Sequence, residues 1–175
     1  MNYALIRKND IANGPGVRVS LFVSGCRHHC KGCFNPETWS FSYGKPFTDE
    51  SAEEILRALK PEYISGLSLL GGEPFEPENQ AALVKLTALV RERYPKKNIW
   101  CYSGFTFETQ LSKGKVGDPE TCLALLRNID VLVDGKFERD KKDLRLRWKG
   151  SSNQRVIDIR ETFKTGEIVL VEGCE

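Results

Sequence analysis

The sequence predicts an α/β domain in which a parallel sheet is covered by crossover helices. Two observations carry this prediction. Short apolar strands alternate with amphipathic helical segments in the order β, α, β, α, β, α, β, and the least ordinary residues fall directly after the strands. Such alternation builds either an open doubly wound sheet or a partial barrel, and in both the chemistry collects at the C-terminal ends of the strands.

Val17 to Val23 sets Val17, Val19, Leu21 and Val23 against Arg18, Ser20 and Phe22, the two-residue period of a strand with a buried face, and it runs straight into a loop rich in cysteine. Ser51 and Glu54 stand at capping-box spacing ahead of Ile55, Leu56 and Leu59, which predicts a helix over residues 50–60 that closes at Pro61. Gly66 to Leu70 is a second strand, ending at Gly71-Gly72-Glu73-Pro74. From Glu78 to Tyr94, Leu83, Leu86 and Val90 recur at spacings of three and four, and Pro95 supplies the stop. Ile99 to Tyr102 reads as a third strand, Glu120 to Arg127 as a helix, Val131 to Val133 as a fourth strand and Val156 to Ile159 as a fifth. Lys113 to Pro119 holds two glycines and a proline and is expected to be an exposed loop. No repeat or linker divides the chain, so a single domain over residues 1–175 is expected.

A chain of 175 residues is long enough to hide roughly 70% of the surface that it exposes when unfolded, and needs no disulfide or zinc staple to be stable. Lys and Arg number 26 and Asp and Glu 24, a net charge of +2 that gives little long-range attraction for nucleic acid or anionic lipid. No apolar run approaches a bilayer span, and Met1 to Arg7 has no basic region followed by an apolar stretch. A cytoplasmic protein with neither nucleic acid nor membrane as partner is expected. Charge is uneven locally: Lys136 to Lys149 holds seven basic and three acidic residues. That segment reads either as a solvated loop or as a docking patch for an acidic partner or anionic cofactor.

Six cysteines outside a secretory context are ligands or reactive thiols more often than a disulfide framework. Cys101, Cys122 and Cys174 are scattered singly, as small buried hydrophobes often are. Cys26, Cys30 and Cys33 instead share one loop, Cys26-Arg27-His28-His29-Cys30-Lys31-Gly32-Cys33. Three thiolates can hold three corners of a cubane iron-sulfur cluster and leave the fourth iron open to a substrate. The alternatives are zinc held with His28 or His29, a closed cluster that recruits a distant cysteine, and a redox thiol loop. Structural zinc sites usually carry a second ligand pair far along the chain, and the sequence has none. Gly71-Gly72-Glu73 alone would be a turn. Beside a cluster loop, its glycines permit close approach and a carboxylate or carbonyl can accept from an amine. No Ser-His-Asp, phosphate-loop or Rossmann pattern competes with this site.

The cysteine spacing resembles that of the radical S-adenosylmethionine superfamily, and Asn13-Gly14-Pro15-Gly16-Val17-Arg18 with Gly71-Gly72-Glu73-Pro74 resembles its glycyl-radical activating enzymes. Val23 to Trp39, Leu132 to Phe137 and Gly150 to Arg155 are similar to the family that activates anaerobic (class III) ribonucleotide reductases. The resemblance implies an incomplete β/α barrel and a 4Fe-4S cluster on Cys26, Cys30 and Cys33. It also implies S-adenosylmethionine, reductively cleaved to a 5′-deoxyadenosyl radical that makes a glycyl radical on the reductase's catalytic subunit. A low-potential electron donor such as flavodoxin is implied as a further partner. Gly71, Gly72 and Glu73 would meet the methionyl amino group. An aromatic residue usually precedes the last cysteine to pack on adenine; here that position is Gly32, so backbone around Gly32 and Cys33 or the Phe34 ring would serve. Ser103, Asp134 and Lys136 resemble positions used for ribose, carboxylate or an accompanying cation, and Asn153 and Arg155 belong to a segment that reaches cofactor or partner. His28 and His29 are expected near the cluster or the partner. Two other readings remain: a radical enzyme acting on a small molecule, and a non-enzymatic zinc or iron-sulfur module that docks through Lys136 to Lys149.

Overall fold

The computed structural model describes residues 1–174. Seven strands, β1 (Asn2–Asp10), β2 (Val17–Val23), β3 (Lys45–Pro46), β4 (Ile64–Gly71), β5 (Asn98–Tyr102), β6 (Val131–Asp134) and β7 (Arg155–Asp158), form one sheet in the order β3-β1-β2-β4-β5-β6-β7. The four middle strands β2, β4, β5 and β6 are parallel. They are joined by helices α1 (Asp49–Leu59), α2 (Pro77–Arg93) and α3 (Pro119–Asn128), as the alternation predicts.

The sheet is nevertheless mixed, which corrects the expectation of a parallel one. β1 and β3 run antiparallel on one side and β7 antiparallel to β6 on the other. A parallel pair needs a long crossover, usually a helix. Residues 135–154 between β6 and β7 contain only a short 3-10 turn at Arg139–Lys141, so the chain turns back beside β6 and pairs antiparallel. β7 ends at Asp158, whose carboxylate accepts from Glu161 N–H and caps a short fourth helix, α4 (Ile159–Thr165). The predicted fifth strand therefore stops one residue early and a helix follows it. β1 has no apolar period to mark it in the sequence: Arg7 to Asp10 is polar, and only its last residue is buried.

Alternation along the strands divides the sheet into two faces. Val19, Leu21 and Val23 of β2, Leu67 and Leu69 of β4, Ile99 and Cys101 of β5, Leu132 and Ile157 pack with Ile55, Leu56, Leu83, Leu86, Leu125 and Leu126 of the helices in one core. Trp100, Val131, Val133 and Val156 point the other way and pack with Tyr102, Trp148, Val171 and Cys174. With the helices gathered on the first face, the second is covered by the segment after β6 and the end of the chain. Arg18 lies on this face, fully buried, its guanidinium bonded to Ser68 Oγ at 2.7 Å and to the Leu67 carbonyl at 2.8 Å, and set over the Trp100 ring. Burial without a carboxylate in contact pushes its pKa down to about 10. No helix is long and apolar enough to cross a membrane among the described residues.

The α1 cap differs from the predicted Ser51–Glu54 box. Thr48 is the N-cap: its hydroxyl accepts from Ser51 N–H at 3.3 Å, and Ser51 Oγ accepts from Thr48 N–H in return. The box is thus shifted three residues toward the N-terminus, and Glu54 instead pairs with Lys8 of β1 at 2.9 Å. Thr48→Ala should lower the unfolding free energy by about 1 kcal/mol in a denaturant titration, whereas Glu54→Ala should move it by roughly half that or less, since exposed ion pairs contribute little.

Candidate active site

A cavity of about 400 Å³ opens where β2, β4, β5 and β6 hand over to their loops, at their C-terminal ends. That volume is within the range of small-molecule sites, roughly 300–1,000 Å³. Cys26, Cys30 and Cys33 line it from the loop after β2, Gly71, Gly72 and Glu73 from the end of β4, and Ser103 from the end of β5. Phe34 lines it too, with its ring 57% exposed and 5.1 Å from Phe137. Gly32, Asp134 and Lys136 do not line the cavity, which differs from the sequence expectation.

Asn35 N–H donates to Cys33 Sγ at 3.4 Å, and the backbone amides of His28 and His29 near Cys26 and of Phe137 near Cys30 favour the thiolate. Donors of this kind stabilise anionic sulfur, and the Lys136 ammonium beside Cys30 acts in the same direction. Burial outweighs them: it pushes the Cys26 thiol up to about 12 and raises Cys30 as well. Among the described residues, no three His, Cys, Asp or Glu side chains converge closely enough to hold a single metal ion. A cubane places each sulfur ligand on a different iron, so three thiols around a cavity suit a cluster without meeting at one point. Cys101 and Cys122 are buried in the helix-side core and Cys174 against Trp100 and its neighbours, away from the cavity lining. None of the three distant cysteines that a closed cluster could recruit lines the cavity.

Glu73 is 1% exposed and joins the loops to one another. Its Oε1 accepts from Phe75 N–H at 2.8 Å and from the Ser103 hydroxyl at 2.9 Å. Oε2 accepts from Gly104 N–H at 2.7 Å and lies 3.1 Å from His28 Nε2. His28 also packs edge-on against Phe105, and a Cβ on Gly104 would come within 2.4 Å of the His28 ring, which explains a glycine there. Gly71 and Gly72 are required by close packing as well: side chains would meet Phe22 and Val23 backbone at 2.8 Å and the Gly25 carbonyl at 2.6 Å. His29 stacks on Trp39, with its backbone in the left-handed region.

A second clamp was not foreseen in the sequence. Arg27 N–H donates to Glu76 Oε1 at 2.7 Å, and the Arg27 guanidinium pairs with Glu76 and Glu78 while lying over Phe41. The run Glu73, Glu76, Glu78 opposite Arg27-His28 was the available signal. Asp134 is buried and occupied by Phe107 N–H at 2.9 Å and by Arg155, which also grips Glu108. Asn153 donates to the Lys136 carbonyl, so this tail segment braces the loop after β6.

Fold and site define an α/β iron-sulfur protein with one three-cysteine loop. Residues 12–157 match a family described as a 4Fe-4S single cluster domain. The chain is 45% identical to the anaerobic ribonucleoside-triphosphate reductase-activating protein of Vibrio cholerae over 88% of this chain and 96% of that protein. It is 40% identical to the protein of that name from Enterobacteria phage T4, over 89% and 93% respectively. Against the one from Escherichia coli K12 it is 41% identical, over 91% of this chain and the whole of that protein. The chain belongs to the family of anaerobic ribonucleoside-triphosphate reductase-activating proteins.

Replacing Cys26, Cys30 or Cys33 by Ala should abolish retention of iron and acid-labile sulfide after anaerobic reconstitution, and Cys101→Ala should retain both at the wild-type level. Equal iron contents in all four variants would contradict the assignment of the loop.

Proposed function

We propose that this protein is a radical S-adenosylmethionine enzyme that generates a glycyl radical on an anaerobic ribonucleotide reductase. The observation that carries the reading is the set of three cysteines that line one cavity from a single loop, with Asn35 N–H donating to Cys33 Sγ. Cys26, Cys30 and Cys33 would hold a 4Fe-4S cluster with one iron left for S-adenosylmethionine, and the bound pair would supply the one-electron reduction of the sulfonium and the radical chemistry that removes a hydrogen atom from a glycine α-carbon of the reductase. The family's incomplete β/α barrel and a single catalytic domain over residues 1–175 belong to the same reading, as do a cytoplasmic setting and a low-potential donor such as flavodoxin.

The chain's own part is positional. Backbone at Gly71 and Gly72 receives the methionyl ammonium at the end of β4. Glu73 works behind that contact, because protein donors and the His28 ring already surround both of its oxygens, and it fixes Ser103 and Gly104 on the adjoining strand end. Phe34 offers the apolar face for adenine beside Cys33, in place of the missing aromatic at Gly32. Asp134 and Lys136 shape the loop after β6, and Lys136 adds positive charge near Cys30. The half-open cavity leaves room for a polypeptide loop of the reductase to bring its glycine into contact, which a hydrogen-atom transfer requires.

Anaerobic reduction of the reconstituted protein with S-adenosylmethionine and the reductase should give a glycine-centred doublet in the electron paramagnetic resonance spectrum. The Cys30→Ala variant should give none. An intact cluster with bound S-adenosylmethionine and no doublet would overturn the reading.

A further inference from the structure

The basic segment after β6 lies along the outer edge of the cysteine loop. The Phe137 backbone amide lies near Cys30, and the Arg139 side chain covers Gly32, where an added Cβ would sit 3.3 Å from Arg139 Cδ. Lys142 Nζ stands 5.0 Å from the centre of the exposed Phe34 ring. Lys31, in the turn between Cys30 and Cys33, is exposed on the same loop. The neighbouring carboxylates do not offset these charges: Glu138 is taken by Lys141 at 2.8 Å and Asp143 by Arg145 at 2.8 Å, leaving Asp140. No ion pair engages Lys31, Arg139 or Lys142 among the described residues. Cys30 and Cys33 are both partly exposed, so cationic charge is concentrated where the cluster would come nearest to solvent.

We propose that Lys31, Arg139 and Lys142 form the docking surface for an acidic one-electron carrier protein. The inference rests on the proposed function, which needs an electron from outside the chain. In the step itself one electron leaves the carrier's reduced prosthetic group and enters the sulfur-bound iron centre; the carrier is oxidised by one electron, the centre is reduced by one, and no atom is transferred. Complementary charge raises the encounter rate and orients the carrier. The reductase, the competing occupant, must reach the cavity interior to present its glycine, whereas Lys31, Arg139 and Lys142 are exposed and do not line the cavity.

The test compares the cluster-loaded wild type with the triple variant Lys31→Glu/Arg139→Glu/Lys142→Glu, and with the milder Lys31→Gln/Lys142→Gln should the triple variant fold poorly. Oxidised flavodoxin is the binding probe, reduced flavodoxin the protein donor and dithionite the small-molecule donor. Affinity for oxidised flavodoxin, measured calorimetrically without turnover, should fall about ten-fold or more at low salt in the triple variant, and more modestly in the neutralised one. The wild-type rate of reduction by flavodoxin should drop steeply as the screening length shortens from about 30 Å at 0.01 M salt to about 8 Å at 0.15 M, and that slope should flatten in the variants. Dithionite-driven glycyl radical formation should be unchanged. Wild-type affinity and salt slope in the variants would overturn the docking surface. An equal loss with both donors would overturn it too, by assigning the patch to the reductase. Failure of the wild type with dithionite would instead count against the proposed function itself.

Discussion

The site depends on one buried carboxylate. Glu73 is surrounded by donors from three directions: its own turn through Phe75, the end of β5 through Ser103 and Gly104, and the cysteine loop through His28. A buried ion is tolerated only when its oxygens are satisfied, so each of these contacts is also a condition for the others. The consequence is geometric. Loops from separate strands, which nothing in the local chain would bring together, are held around one cavity. Arg27 pairs with the buried Glu76 and, further out, with Glu78, where both groups are exposed and the contact is worth less.

Around that anchor the fold separates two tasks. The face bearing the helices carries the apolar core, and the cavity at the strand ends is lined by the three thiols, by glycines and by polar and aromatic side chains such as Glu73, Ser103 and Phe34. The backbone amides that favour the thiolates come from the loop itself and, through Phe137, from the segment after β6. That segment takes the place a crossover helix would have had. Its irregular course makes β7 antiparallel and at the same time brings Lys136, Phe137, Arg139 and Lys142 alongside the cysteine loop.

The four parallel strands and three crossover helices were legible because each carries an apolar period of its own and a stop such as Pro61 or Pro95. β1 and the short α4 were not: β1 ends in polar residues near the edge of the sheet, and α4 depends on a cap at Asp158, which is itself the last of the four residues of β7. The cysteines were legible by spacing, and Glu73 and Ser103 by their place after strands. Asp134 shows the limit of that reasoning. It also follows a strand, but Arg155, distant in sequence, pairs with it and Phe107 N–H completes the contact, so it braces the wall without lining the cavity. Which polar residue at a strand end faces the cavity depends on partners that local pattern does not specify.

The most direct measurement is Mössbauer spectroscopy of the ⁵⁷Fe-reconstituted protein before and after addition of S-adenosylmethionine. With Cys26, Cys30 and Cys33 as the protein ligands, one iron of the cubane should move to a higher isomer shift as its coordination number rises, while the other three stay where they were. Four iron sites that ignore the added sulfonium compound, in a protein shown separately to bind it, would contradict an open vertex on this cysteine loop.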